Sequence, residues 1–468
     1  MNMIELSNPS TGRVFRKLEE PTKADIKARI MAARVAQRDW STQVSLDERI
    51  ECILRFRQSL LAKQDELALT LSTETGKPIT QARGEIKATT ARIDYFVRHV
   101  GRLLESRTPV ASGGNVNAPG MAQLQEAVTY EPLGVIANIS AWNYPYFVGA
   151  NVFIPALLCG NAVIYKPSEY ATLTGLAIES LLHDSGIPKD IFQAVIGGAQ
   201  AGSNVISEAI DGLFFTGSYS TGVKIAAAVA PKLIPLQLEL GGKDPAYVAE
   251  DADPVAAAFA LAEGAFYNTG QSCCAVERIY VHNSILLPFR TAFMKAVSAF
   301  EVGDPSHSGT FIGPLTRREQ VDVLEGQVAD ALAKGATLLA GGRRMSREGW
   351  YFEPTILTDT NHDMLVMKEE SFGPIIGIQG VESDDEAIRL MNDTHYGLTA
   401  SIYSPSRTRA LQMLSRVSSG TAYWNCCDRV SPHVPWTGRG HSGLGATLSE
   451  EGIRAFTQPR AWHMKPTA

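Results

Sequence analysis

The chain has 468 residues, 45% of them hydrophobic and 20% charged, and a formal net charge of −6. That is long enough for about three units of ordinary domain size and apolar enough for large packed cores, so wholesale disorder is excluded. No lysine- or arginine-rich block points to nucleic acid, and no apolar run approaches the ~20 residues that a membrane span requires.

The N-terminal "MNMIELSNPSTGRVF" lacks the basic-then-apolar layout of a secretory signal, which suggests a cytoplasmic protein. The cysteines agree with a reducing compartment. Cys52 and Cys159 stand alone, while Cys273–Cys274 and Cys426–Cys427 are adjacent pairs. Neither zinc spacing nor a disulfide framework results, and no metal is expected. From Ser45 to Pro78 a helical pattern runs through Ile50, Ile53, Leu54, Leu60 and Leu61. Ser45 followed by Glu48 predicts a capping box at its start, and Gly76 with Pro78 its stop. Residues 106–120, "SRTPVASGGNVNAPG", read as a loop, and "QLQEAVTYEP" after them as an extended segment.

From Gly134 short β-type runs alternate with helical ones. "GVIANIS", "NAVIYKPS", "FQAVIGG", "GLFFTGS" and "PLQLEL" are five strands separated by helices, which predicts a mostly parallel sheet covered on both faces. A second α/β stretch runs from about 241 to 420. Ligands of parallel sheets bind at the carboxyl ends of strands, so the strand-closing residues are the candidates. Asn143, in "AWNYP", is either a turn cap or an amide aimed at a developing oxyanion. Lys166, Ser168 and Glu169, in "YKPSE", are either a solvated loop or contacts to ribose hydroxyls. A carboxylate there repels a 2′-phosphate. Gly217 and Gly222, in "GLFFTGSYSTG", would let backbone approach a pyrophosphate, although the G-x-G-x-x-G fingerprint is absent. Glu239 alternates with Leu236, Leu238 and Leu240 and so points away from the leucine face, as a water-exposed carboxylate or as a general base. "FYNTGQSCCAVER" adds two adjacent cysteines, each a core residue or a nucleophile.

Taken together and in order, "NPSTGRVF", "ETGKP", "AWNYP", "YKPSE", "FTGS", "LELGGKDP", "NTGQSCC", "EESFGP", "NDTHYGL" and "FTQPR" resemble the signatures of the aldehyde dehydrogenase superfamily nearly end to end. The resemblance implies an α/β fold with a Rossmann-like cofactor domain (1–110 and 132–240), a catalytic domain (241–440), and a β oligomerisation arm with a C-terminal tail (111–131 and 441–468). It implies a homodimer or homotetramer. Cys273, two residues after Gly270–Gln271, takes the nucleophile's place, with Asn143 holding the oxyanion and Glu239 activating water to hydrolyse a thioester. The acid at Glu239 argues against acyl transfer to coenzyme A.

By the same match Ile139, Ser140, Trp142, Lys166, Ser168, Glu169, Gly198, Phe215, Gly217, Ser218, Leu240, Glu370 and Phe372 contact NAD, with NADP also possible. Tyr144, Asn151, Tyr267, Val430 and Trp436 match positions that line the substrate tunnel. Semialdehyde-oxidising relatives carry arginines where Asn151 and Tyr267 stand, so a small apolar or aromatic aldehyde is favoured over a semialdehyde, unless Arg429 or His433 supplies the charge. A betaine-aldehyde-like substrate is the other alternative. Near the C-terminus "PWTGRGHSG" departs from the commoner "PFGG-x-K-x-SG", with Thr437 in place of a glycine and Gly440 in place of a lysine. A catalytically silent member of the fold and a nicotinamide-independent cysteine hydrolase are the competing readings.

Overall fold

The computed structural model describes residues 2–107 and 125–464, so residues 111–124 of the expected arm lie outside the described residues. The predicted capping box forms: Ser45 Oγ accepts from the Glu48 N–H while the Glu48 carboxylate accepts from the Ser45 N–H at 2.8 Å. The long helical run is two helices, Leu46–Ala62 and Gln64–Thr75, because Lys63 leaves helical geometry. Ile53 and Leu60 are buried as their spacing requires, whereas Leu61 faces solvent and Phe56 fills the stripe. Gly76, at φ 75°, ends the second helix in the left-handed conformation that glycine adopts without strain.

The five predicted strands form one parallel sheet in the order Leu236–Glu239, Gly212–Thr216, Val135–Ile139, Ala162–Lys166, Phe192–Ala194. Chain order reverses between Val135–Ile139 and Gly212–Thr216, and the crevice for a ligand opens at such a switch point. Gly443–Leu444 adds an antiparallel sixth strand beside Leu236–Glu239. The N-terminal helices cover this sheet, and one apolar core joins them.

Seven strands build the second sheet. Asp244–Val248 and Val276–His282 sit near its centre, and Thr337–Ala340 is its antiparallel edge. Leu240–Lys243 carries the chain from the carboxyl end of the first sheet directly to the amino end of the second. Gln125–Pro132 pairs antiparallel with Thr457–Met464 in a separate two-stranded ribbon. Among the described residues no helix is long and apolar enough to cross a membrane.

Candidate active site

The seam between the two sheets gathers the predicted residues. Cys273 lies in the loop before Val276–His282, at the amino end of a second-sheet strand. Asn143 and Glu239 come from the carboxyl ends of first-sheet strands. The backbone turns into Cys273 through three consecutive left-handed residues, Asn268 (φ 53°), Thr269 (φ 60°) and Gly270 (φ 70°). For a non-glycine residue that conformation costs of order 1–2 kcal/mol, and hydrogen bonds hold it here. Asn268 N–H donates to Gln81 Oε1 (3.0 Å), its amide donates to the carbonyls of Asn143 (3.2 Å) and Gln271 (3.0 Å), and Thr269 Oγ1 accepts from Gly313 N–H (3.0 Å). A side chain at Gly270 would run into the Gly373 carbonyl, so glycine is required for space as well as for conformation.

The two adjacent thiols differ sharply. Cys274 is 4% exposed and joins the first core, where its Sγ lies 3.0 Å from Asp428 Oδ1. The neighbouring Cys273 sulfur, burial and the Asp428 carboxylate hold it well above the ordinary thiol range, and it stays protonated. Cys273 is only half-buried. All six cysteines are free thiols.

Asn143 is buried and donates one amide N–H to the Gln271 carbonyl (3.2 Å), which ties it to the loop that carries Cys273. Glu239 is half-buried. It accepts from Thr447 Oγ1 at 3.1 Å beside the Trp436 indole, and burial pushes it up to about 8. Trp436 thus supports Glu239, its backbone pairing with Thr447.

On the cofactor side, Ser140 and Ser218 flank the switch point. Ser140 Oγ is buried without a partner, and Ser218 caps the helix Tyr219–Val229. A side chain at Gly217 would collide with Phe215, and one at Gly222 with Leu240. Ile139, Phe215 and Leu240 are themselves buried, and they close the strand ends by packing. Beside Gly198 a Cβ would touch nothing. Lys166 Nζ is 3.5 Å and Ser168 Oγ 3.3 Å from Glu169 Oε2. Trp142 meets Phe372 edge to face at 5.5 Å. Glu370 lies against Gly241 and accepts from Gly242 N–H (3.1 Å), and burial raises it to about 8. An orphaned hydroxyl, a glycine approach and a capped helix start at a switch point together fit a dinucleotide.

Several residues of the site escaped the sequence reading. Lys243 donates to Glu277 (2.7 Å) and to Ser371 Oγ (3.0 Å), while Glu277 accepts from the Ser371 and Phe372 N–H groups. Phe372 is thereby held at φ 48°. On the opposite flank Lys77 pairs with buried Glu85, which also accepts from Tyr146 N–H at the start of the helix Pro145–Leu158. Arg92 donates to Asn151 Oδ1 at 2.8 Å. Tyr144 stacks on Phe147 nearby, and Tyr267 packs edge-on to Phe311. Val430 packs against the first core. Arg429 and His433, the cations read as possible charge donors, are both exposed. The signal that could have found Glu85 and Arg92 is their spacing, seven residues apart on one helix face with Ile86, Thr89, Ile93 and Phe96. Charges on a buried helical stripe are rarely incidental.

The model of the family described as "Aldehyde dehydrogenase family" matches residues 1–462. The NADP(+) succinate-semialdehyde dehydrogenase of Deinococcus radiodurans is 34% identical over 98% of this chain and 94% of its own length. A peroxisomal aminoaldehyde dehydrogenase of Pisum sativum is 32% identical over 98% of this chain and 94% of its own. The solved NAD-dependent aldehyde dehydrogenase from Sinorhizobium meliloti superposes with a TM-score of 0.94 at 32% identity, covering 100% of this chain and 93% of that one.

Proposed function

Because the chain belongs to the aldehyde dehydrogenase family, and so is an NAD(P)-dependent aldehyde dehydrogenase, we propose that Cys273 is its nucleophile, Asn143 its oxyanion donor and Glu239 its deacylating base. The observation that carries this is the contrast between the two thiols: Cys274 is sealed against Asp428, while Cys273 stays accessible on the seam where Asn143 and Glu239 converge.

Cys273 Sγ adds to the aldehyde carbon, and the carbonyl π electrons move onto oxygen. The Asn143 amide and the Cys273 backbone N–H stabilise that oxyanion, and losing one such donor costs about 10²–10³ in rate. NAD or NADP, when bound, supplies the two-electron acceptor. The residues that would hold it are Ser140, Lys166, Glu169, Gly217, Ser218 and Glu370. Oxidation leaves the acyl group on Cys273 as a thioester. Glu239 then takes a proton from water as the water oxygen bonds to the acyl carbon. The C–S bond breaks, the thiolate leaves and the acid is released.

Glu169 between Lys166 and Ser168 supports NAD over NADP. The aromatic walls Tyr144, Phe147 and Tyr267 support an aldehyde with an apolar or aromatic body. The first sheet with its helices reads as the cofactor domain and the second as the catalytic domain. The ribbon Gln125–Pro132/Thr457–Met464, with Trp462 and Met464 exposed, reads as a subunit contact.

The test compares Cys273→Ala with Cys274→Ala for NADH formation on an aldehyde panel. The first should lose about 10³-fold or more and the second only a few-fold. Equal losses would remove Cys273 from the nucleophile's role.

A further inference from the structure

We propose that Arg92 is the substrate-selecting cation of this enzyme, and that the preferred aldehydes carry a carboxylate at the end remote from the reacting carbonyl. The inference rests on the reading of Cys273 as the reacting centre, and it names the substrate class of that same site.

The helix Ile79–Leu104 carries Arg92 into the protein, where it is only 4% exposed. A guanidinium so buried ordinarily has a carboxylate partner. Among the described residues Arg92 has none at salt-bridge distance. The acid that acts on it most, Glu85, is committed to Lys77 and to the backbone N–H of Tyr146. Its one acceptor among the described residues is a neutral amide oxygen, Asn151 Oδ1. Nε and Nη2 find no acceptor among the described residues. Two forked donors are therefore left without a protein acceptor among the described residues, which is the arrangement that recognises a carboxylate bidentately.

The location fits substrate rather than solvent. Arg92 lies within electrostatic range of Cys273, Cys274 and Glu239. Its guanidinium packs 3.8 Å over the Phe147 ring, Phe147 stacks on Tyr144 with 11° between planes, and Lys77 caps Tyr144 at 3.7 Å. The result is a ladder with a cation at each end. Lys77 is neutralised by Glu85, and Arg92 is not. Asn151 and Phe147 fix the guanidinium plane, so little further ordering is needed on binding. The opposing carboxylate, Asp428, is turned to Ser272 and Cys274.

This revises the expectation that the lack of basic residues at Asn151 and Tyr267 disfavours a carboxylated aldehyde. Asn151 holds the arginine instead of being one.

The experiment compares matched substrates: succinic semialdehyde against butanal, and 4-carboxybenzaldehyde against 4-methylbenzaldehyde. The wild-type enzyme should favour the carboxylated member of each pair by tenfold or more in kcat/KM. Arg92→Gln should collapse that ratio at least tenfold, chiefly through KM, and Arg92→Lys should keep part of it. A wild-type preference for the neutral members overturns the inference while leaving aldehyde oxidation intact, and so do equal losses on both members in Arg92→Gln. If no aldehyde is oxidised, the catalytic reading fails. The selecting role is then read from binding alone: benzoate should raise the thermal midpoint of wild type but not of Arg92→Gln, with benzamide as control. No difference between benzoate and benzamide overturns it.

Discussion

On the second-sheet flank of Cys273, Lys243 meets Glu277 at 2.7 Å, and Ser371 and Phe372 add further hydrogen bonds to the pair. On the helical flank, Lys77 and Glu85 are matched in the same way, but buried Arg92 and half-buried Glu239 have no salt-bridge partner among the described residues. Burial alone does not distinguish these groups, since Lys243, Glu277, Lys77, Glu85 and Arg92 are all buried and Glu239 is half-buried. What differs is where the compensating partner comes from. A charge satisfied internally fixes the shape of a loop, here the one that carries Glu370. A charge left without a partner costs desolvation with no return until a ligand or a proton arrives. On the proposed reading, the unmatched pair on the helical flank lies on the reacting side of the seam.

The hardest test of that contrast is stability. Lys243→Met leaves Glu277 buried beside two N–H donors with no cation, and removing one partner of such a pair costs about 3–5 kcal/mol. Arg92→Met strands no charge. It forfeits the bond to Asn151, at about 1–3 kcal/mol, and is relieved of the cation's desolvation, so its net cost should be far smaller. Urea-denaturation midpoints of the two variants measure the difference. Equal losses would mean that Arg92 is as much scaffold as Lys243.

The same division explains what could be read from the chain beforehand. The capping box at Ser45 and Glu48, the five strands of the first sheet and the turn at Gly76 are local: each depends on residues a few positions apart, and each forms as their chemistry dictates. Cys273, Asn143 and Glu239 stand out as candidates because they lie in motifs whose order along the chain is itself a signature. Arg92, Glu85 and Lys243 were not, because their roles arise from partners far off in sequence: Arg92 with Asn151, Glu85 with Tyr146, Lys243 with Ser371. The break at Lys63 and the outward turn of Leu61 were missed for the opposite reason. Helical periodicity over thirty residues averages out a single irregular residue. Trp436 was placed at the substrate wall, and its position beside Glu239 depends on a pairing with Thr447 that spacing alone does not announce.

Glu239 gives the next test, smaller in size and specific in sign. Burial raises its carboxyl to about 8, so near neutrality the protonated form dominates, and that form cannot accept a proton from water. Steady-state turnover should therefore climb about tenfold between roughly pH 7 and pH 9 and then level off, if deacylation limits the rate. Glu239→Gln should lower turnover and remove that rise while leaving a first-turnover burst of NADH. A wild-type profile flat across this range would remove Glu239 from the deacylating role.

Glu169 stands between the two classes and sets the smallest effect. Its partner Lys166 is buried, with a side chain 6% exposed, but Glu169 itself is 40% exposed and the contact is long at 3.5 Å. A pair so open to water is worth about 1 kcal/mol at most. Its proposed consequence is discrimination: the carboxylate would occupy the cation that a 2′-phosphate would otherwise claim, and like charge would repel the phosphate. Glu169→Gln frees Lys166 and removes the repulsion, so kcat/KM with NADP relative to NAD should rise, by roughly fivefold if the full pair energy is recovered. Steady-state kinetics with both dinucleotides reads that ratio. A much larger rise would show that Lys166 is held as tightly as Lys243, and an unchanged ratio would show that Glu169 and Lys166 are too weakly coupled for one to screen the other.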